Sequence, residues 1–232
     1  FEFIHNLALG MPFGEQLDVR IWERERIVFA RREQIPHEIT KELAVARAMD
    51  DRIGAFVVME AFKKAAVARR QKGRKLACAL YAVGSVQEEV GLRGAQTSAY
   101  AIAPHAGIAV DVGFATDYPG ENKKSVGDFK LGAGPILHRG PNINHPLAEL
   151  METTAERRKI PYQLSGDGGI MGTDAGPIQV SREGVAAALL SIPNRYMHSP
   201  VEIVSLDDVD RAADVIAEAC RAVTPATDFA AR

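Results

Sequence analysis

A chain of 232 residues is long enough to bury a large core as one domain or slightly more. Its hydrophobic fraction of 47% is that of a globular protein, and a formal net charge of -2 excludes a broad field that would gather nucleic acid or acidic membranes. No apolar run is long enough to cross a bilayer.

The chain opens at Phe1 in mid-pattern with no secretory signal, as expected of a processed protein or a piece of a longer one. Residues 1–43 read as a β-rich segment. The stretch Ile21 to Phe29 mixes strand formers with charges, between turns at Met11-Pro12-Phe13-Gly14 and Gln34-Ile35-Pro36-His37. From Ala44 to about residue 225, strands and helices alternate. Asp50 or Asp51 caps a helix running to about Arg70, with an apolar stripe through Ile53, Phe56, Val57, Phe62 and Val67, and Gly73 stands where a helix end favours glycine. Leu76 to Val83 reads as a buried strand and Ala106 to Ala115 as a second. A third lies near Ile136-Leu137, a helix runs from Pro146 to Arg158, and Pro161 to Leu164 is a short strand.

Gly166 to Gly176 is a glycine-rich loop with no helix where a dinucleotide fingerprint requires one. Val185 to Ile192 reads as strand. Ser205 caps a last amphipathic helix through Leu206, Val209, Ala212, Val215, Ile216 and Ala219, and residues 226–232 are a loose tail. Cys78 and Cys220 are too few for a disulfide scaffold and read as reduced, buried thiols. The alternation implies a three-layer α/β core, whose active residues gather at strand ends.

Several acidic groups fall at such ends. Glu88 and Glu89 follow an apolar strand, and neighbours there point in different directions, so one can bind metal while the other handles protons. A solvated surface pair is the plain alternative. Asp50 and Asp51 are explained equally well as a cap with an acidic first turn. Asp111 lies within an apolar strand, where an unpaired charge is costly unless the strand end is exposed. His198, close before Pro200, suits either a structural hydrogen bond or a ligand. His5, His37, His105, His138 and His145 read as surface or loop histidines, and Asp117 as a turn residue.

Taken together, five stretches resemble the tetrahedral-assembly family of dinuclear metallo-aminopeptidases. Relatives of glutamyl and deblocking aminopeptidases, its members also go under the names endoglucanase and cellulase. The stretches are Asp50-Asp51-Arg52-Ile53-Gly54, Val86 to Ala95, Asp111-Val112 with Asp117-Tyr118-Pro119-Gly120, Gly172-Thr173-Asp174-Ala175, and Arg195-Tyr196-Met197-His198-Ser199-Pro200.

The resemblance implies a zinc-exopeptidase core of the phosphorylase/hydrolase-like α/β/α type over 44–225. It further implies that residues 1–43 are the remnant of an inserted β-rich dimerisation domain. Asp50 then matches a carboxylate bridging two divalent ions, Zn or Co, and Asp111 a ligand of one of them. Glu89 and His198 match ligands of the other, and Glu88 the general base that activates the metal-bound water. A further metal-binding histidine, in a His-x-Asp motif before Asp50, is absent: His5 precedes Asn6-Leu7 and His37 precedes Glu38-Ile39. The expectation is a cytoplasmic aminopeptidase acting on peptides. It would be a homo-oligomer, with a dodecamer built from dimers in view, and would have no nucleic-acid or membrane partner. An inactive or truncated homologue serving assembly and an endoglucanase-type glycoside hydrolase are the alternatives.

Overall fold

The structure, a computed structural model, describes residues 3–10, 37–38, 42–70, 76–169 and 172–230. The turn at Met11 to Gly14, the segment Ile21 to Phe29, most of the turn before His37 and the helix end at Gly73 lie outside the described residues. In chain order the elements are β1 (Phe3–Gly10), β2 (His37–Glu38), β3 (Leu43–Ala46), α1 (Met49–Arg70), β4 (Ala79–Val86), α2 (Arg93–Ile102), β5 (Ala106–Phe114), α3 (Lys123–Val126), β6 (Ile136–Arg139), α4 (His145–Arg158), β7 (Gln163–Gly166), α5 (Ala175–Gln179), β8 (Ala186–Arg195), β9 (Glu202–Ser205) and α6 (Leu206–Ala222).

The described strands form one sheet in the order β2-β3-β9-β8-β5-β1-β4, from which β6 and β7 branch at β8. Strands β5 and β8 are parallel, from Ala106 opposite Ala186 to Phe114 opposite Asn194. Strand β1 runs antiparallel to both β4 and β5, so those two share a direction. The C-terminal ends of β4, β5 and β8 therefore meet on one edge, where an open α/β sheet places its ligands.

Both faces of the sheet are covered, because alternate residues of a strand point to opposite sides. Ile108, Val110, Val112, Leu190 and Ile192 share a core with residues of α1, α4 and α6. Ala109, Ala187 and Leu189 pack instead with Ala95 and Ala99 of α2 and Ala175 and Ile178 of α5. Leu190, Ile192 and Ile216 are fully buried, each worth about 1.5–3 kcal/mol against exposure. This is the α/β/α layering expected from the sequence.

Some boundaries differ. Strand β4 starts at Ala79, not Leu76, because its ladder with β1 runs from Gly10 opposite Ala79 to Phe3 opposite Val86. Leu76 and Cys78 still pack on the core, so their apolarity marks burial rather than pairing. Strand β7 likewise lies two residues later than expected, and β8 continues through Pro193 to Arg195. Helix α2 has no sequence signal, for Leu92 at its N-cap makes no side-chain cap. Ser205 stands at the N-cap of α6 as expected, without a side-chain bond. Near the C-terminus, Phe229 packs on the core and its carbonyl accepts from Asn144 Nδ2 at 2.8 Å.

Candidate metal centre and its cleft

The two aspartates at the start of α1 divide the work that sequence left undivided. Both have non-helical backbone angles, Asp50 at φ -77, ψ 110 and Asp51 at φ -119, ψ 53. Asp51 is the cap: its Oδ1 accepts from Gly54 N at 2.9 Å. Asp50 is left to face the strand ends. Its backbone is held by Glu202 of β9, whose Oε2 accepts from Met49 N at 2.6 Å and Asp50 N at 3.3 Å, while Oε1 accepts from Asn194 Nδ2 at 3.3 Å. Glu202 is 2% exposed and was not singled out from sequence. Its signal, a glutamate between Val201 and Ile203, is the one that drew attention to Asp111.

Glu88 and Glu89 sit in a turn directly after β4. Gln87 has φ 61, and Glu88 O accepts from Gly91 N at 3.0 Å and Leu92 N at 2.8 Å, which folds the chain back into α2. The two side chains part: Glu88 is buried at 8% exposure and Glu89 is exposed. Gly94 permits this close return, since a Cβ there would lie 2.2 Å from Val86 N and 2.4 Å from Val86 O.

His198 is presented by the turn after β8, with φ 63. Phe114 meets its ring edge-on at a centroid distance of 6.1 Å. The turn is tied down by Arg195, whose Nε and Nη2 each donate at 2.7 Å to the two oxygens of Asp117. Asp117 Oδ2 also accepts from Leu131 N at 3.0 Å, and Tyr118 packs against Tyr196 with centroids 4.6 Å apart. Asp117 is thus more than the turn residue expected from sequence. It joins the chain after β5 to the end of β8, from which the turn with His198 departs.

These elements bring Asp50, Glu89 and His198 together, with one donor atom of each within 4.8 Å of the others. His198 Nε2 lies 3.1 Å from Asp50 Oδ2. Asp111, in β5, is outside this group. It lines the same cleft, 8% exposed, with Oδ1 accepting from Val112 N at 2.8 Å. Burial, then the charges of Asp50, Glu88 and Asp174, push the Asp111 carboxyl well above its ordinary value. Burial, with Asp111, Asp50 and Glu88 adding to it, does the same to Asp51, whose Oδ2 is buried without a hydrogen-bond partner. Carboxylates crowded in low dielectric repel one another. The crowded charges and the mixed carboxylate–imidazole donors of Asp50, Glu89 and His198 fit a site made for a divalent cation.

The metal-binding candidates open on a cleft of about 450 Å³ that also takes in Ile136, His138, Ser165, Asp167, Leu189 and Ser191. His138, read from sequence as a surface or loop histidine, is in fact 12% exposed in its side chain and bonded on both ring nitrogens, to Asp167 at 2.6 Å and to Ser191 at 2.9 Å. That grouping depends on strand register, so no local pattern reveals it. His5 lies in β1 opposite Gly84 and Val110, next to the Asp111 position.

Residues 15–215 match the family model of the M42 glutamyl aminopeptidases. Over 162 residues the chain is 46% identical to a lysyl aminopeptidase of Pyrococcus furiosus, covering 70% of this chain and 44% of that one. A TET aminopeptidase from a marine sediment archaeon of the Thaumarchaeota is similar in structure, with a TM-score of 0.71 at 36% identity over 80% of this chain and 51% of its own. The Pyrococcus horikoshii TET1 peptidase, which can assemble into a tetrahedron or a large octahedral shell, gives a TM-score of 0.62 at 28% identity, over 78% of this chain and 51% of its own. The chain spans about half the length of the curated relatives it matches.

Proposed function

The chain belongs to the M42 glutamyl aminopeptidase family, and from that premise we propose that it carries the catalytic centre of a metal-dependent aminopeptidase, which removes amino-terminal residues from peptides. The observation behind this reading is the meeting of Asp50, Glu89 and His198 beside the buried Glu88. Asp50, Glu89 and His198 would hold one divalent ion, Zn²⁺ or Co²⁺ by their donor types, and Asp50 with Asp111 would offer carboxylates to a second. Bound there, such ions supply Lewis acidity for the peptide carbonyl and lower the pKa of water towards neutrality.

The chain's own residues do the rest. Glu88 takes a proton from water as its oxygen attacks the carbonyl carbon. It returns that proton to the amine that leaves when the C–N bond breaks. The surrounding carboxylates favour a substrate with a free, positively charged α-amine. Within this reading residues 44–225 form the catalytic core together with β1, which lies between β4 and β5 in the same sheet, and the remnant of a dimerisation domain is confined to the segment between β1 and β2. The protein assembles into a homo-oligomer such as a dodecamer built from dimers, in keeping with the assembling TET1 peptidase. Free Cys78 and Cys220 suit a reducing cytoplasm. No helix among the described residues is long and apolar enough to cross a membrane.

The glycoside hydrolase is the weaker reading. It needs two carboxylates flanking a sugar bond and has no use for an imidazole beside Asp50. An inactive homologue would have no need to keep Glu88 beside the complete Asp50, Glu89 and His198 group. The test is release of the first residue from a peptide with a free amine, compared with its N-acetylated form and with carboxymethyl cellulose, before and after metal is stripped and restored. Cleavage of the free peptide alone, dependent on metal, is expected. Cleavage of cellulose, equal cleavage of the acetylated peptide, or indifference to metal overturns the reading.

A further inference from the structure

Strand register shows how the cleft continues beyond the metal centre. Asp111 lies opposite Ser191 across β5 and β8, Ser191 opposite Ile136 across β8 and β6, and His138 opposite Ser165 across β6 and β7. Paired residues share a face of the sheet, so all five stand on the same side. Gly113, two residues beyond Asp111 on that side, keeps the floor open. A Cβ there would lie 2.9 Å from Ser191 Cβ and 3.2 Å from Ile136 Cδ1. The cleft thus runs from the strand ends, past the apolar walls of Ile136 and Leu189, to a polar end two strand spacings from β5, or about 10 Å.

At that end, His138 Nδ1 bonds Asp167 Oδ2 at 2.6 Å and Ser165 Oγ lies 3.4 Å from the same oxygen. With Nδ1 donating to the carboxylate, Nε2 accepts from Ser191 Oγ at 2.9 Å. Both side-chain contacts of Asp167, from His138 Nδ1 and Ser165 Oγ, fall on Oδ2, and Oδ1 has no hydrogen-bond partner among the described residues. The side chain is 41% exposed and lines the cleft. Burial pushes the His138 imidazole below its ordinary value, against the pull of Asp167, so at neutral pH it does not cancel the carboxylate's charge. Ser, His and Asp in this order suggest a nucleophile, but Ser191 lies mid-strand with its backbone paired to β5 and β6. A nucleophilic serine sits instead on a sharp strand-to-helix turn.

We propose that this end of the cleft receives the side chain of the substrate's amino-terminal residue, and that Asp167 selects a basic one, lysine or arginine. The proposal rests on the aminopeptidase reading above. Ile136 and Leu189 cover the methylenes of such a side chain, and Asp167 Oδ1 meets its cationic head. A short side chain does not span the distance, and an acidic one meets a like charge.

The test compares kcat/KM for lysine, leucine and glutamate para-nitroanilides in the Zn²⁺- or Co²⁺-loaded protein and in Asp167→Asn, which keeps an acceptor for His138. Binding of free L-lysine and L-leucine is followed in parallel by calorimetry. The expected result is a preference for lysine over leucine and glutamate. Asp167→Asn should lower kcat/KM on lysine by about ten- to a hundredfold, weaken L-lysine binding to match, and leave leucine nearly unchanged. Cleavage of leucine anilide with lysine no better, or an Asp167→Asn variant that keeps the lysine-to-leucine ratio, overturns the pocket assignment alone. Failure to cleave any anilide at saturating metal overturns the aminopeptidase reading and this assignment with it.

Discussion

His198 Nε2 lies 3.1 Å from Asp50 Oδ2, so the turn after β8 meets the start of α1. A cation held between an imidazole and a carboxylate replaces their close contact with two coordinate bonds and relieves the crowding of nearby acids. His198→Ala should therefore cut metal affinity at least about tenfold, with little change in the far-ultraviolet circular dichroism, since its side chain is 62% exposed. Unchanged metal content by elemental analysis would return His198 to a structural role.

Glu202 is buried at 2% exposure and serves Met49 N, Asp50 N and Asn194 Nδ2 at once. A glutamine there offers only one acceptor oxygen, leaving a donor unsatisfied. Glu202→Gln is expected to cost about 1–3 kcal/mol in urea unfolding and to weaken metal binding by misplacing Asp50. Equal stability and equal metal affinity would show that Asp50 is set by something else.

Asp117 gives a pH-dependent prediction. Burial raises its carboxyl, but the bonds from Arg195 and from Leu131 N outweigh this and hold it below the usual carboxylate range. A carboxyl depressed in the folded state adds stability above its unfolded value, near 4, and loses it as pH falls through the folded value. Asp117→Asn should thus be less stable than the parent at pH 6, and the gap should close below about pH 4. A gap independent of pH, read from urea midpoints, would contradict this.

Of the pocket residues, Asp50 and Asp111 offer a second ion only carboxylate oxygens, a poor set for zinc. Calorimetric titration should show one tight equivalent of Zn²⁺ and a second that is weak. Two tight equivalents would point to another ligand. His5→Ala is then the variant to make, given the place of His5 in register beside the Asp111 position.

What the sequence made legible was local. The aspartate pair opening α1, the glutamate pair closing β4, Asp111 in its apolar strand and His198 before Pro200 each stand out from their neighbours. The alternation that places them on one edge is visible as well. Glu202, the Arg195–Asp117 pair and the His138–Asp167–Ser191 group were not legible, because each exists only where distant segments meet. Helix α2 escaped for another reason: its entry depends on Gly94 packing against β4, not on a cap. The start of β4 was misplaced because apolarity reports burial, whereas the ladder is set by β1.

The account turns on a division of labour between two adjacent glutamates, one buried and one exposed beside Asp50 and His198. The most direct measurement sets Glu88→Gln against Glu89→Gln, recording turnover on a free-amine peptide and bound metal for each. Glu88→Gln should lose about 10²–10⁴-fold in kcat with its metal content intact, while Glu89→Gln should lose metal and activity together. Metal lost from Glu88→Gln as readily as from Glu89→Gln, or full turnover in Glu88→Gln, would contradict it.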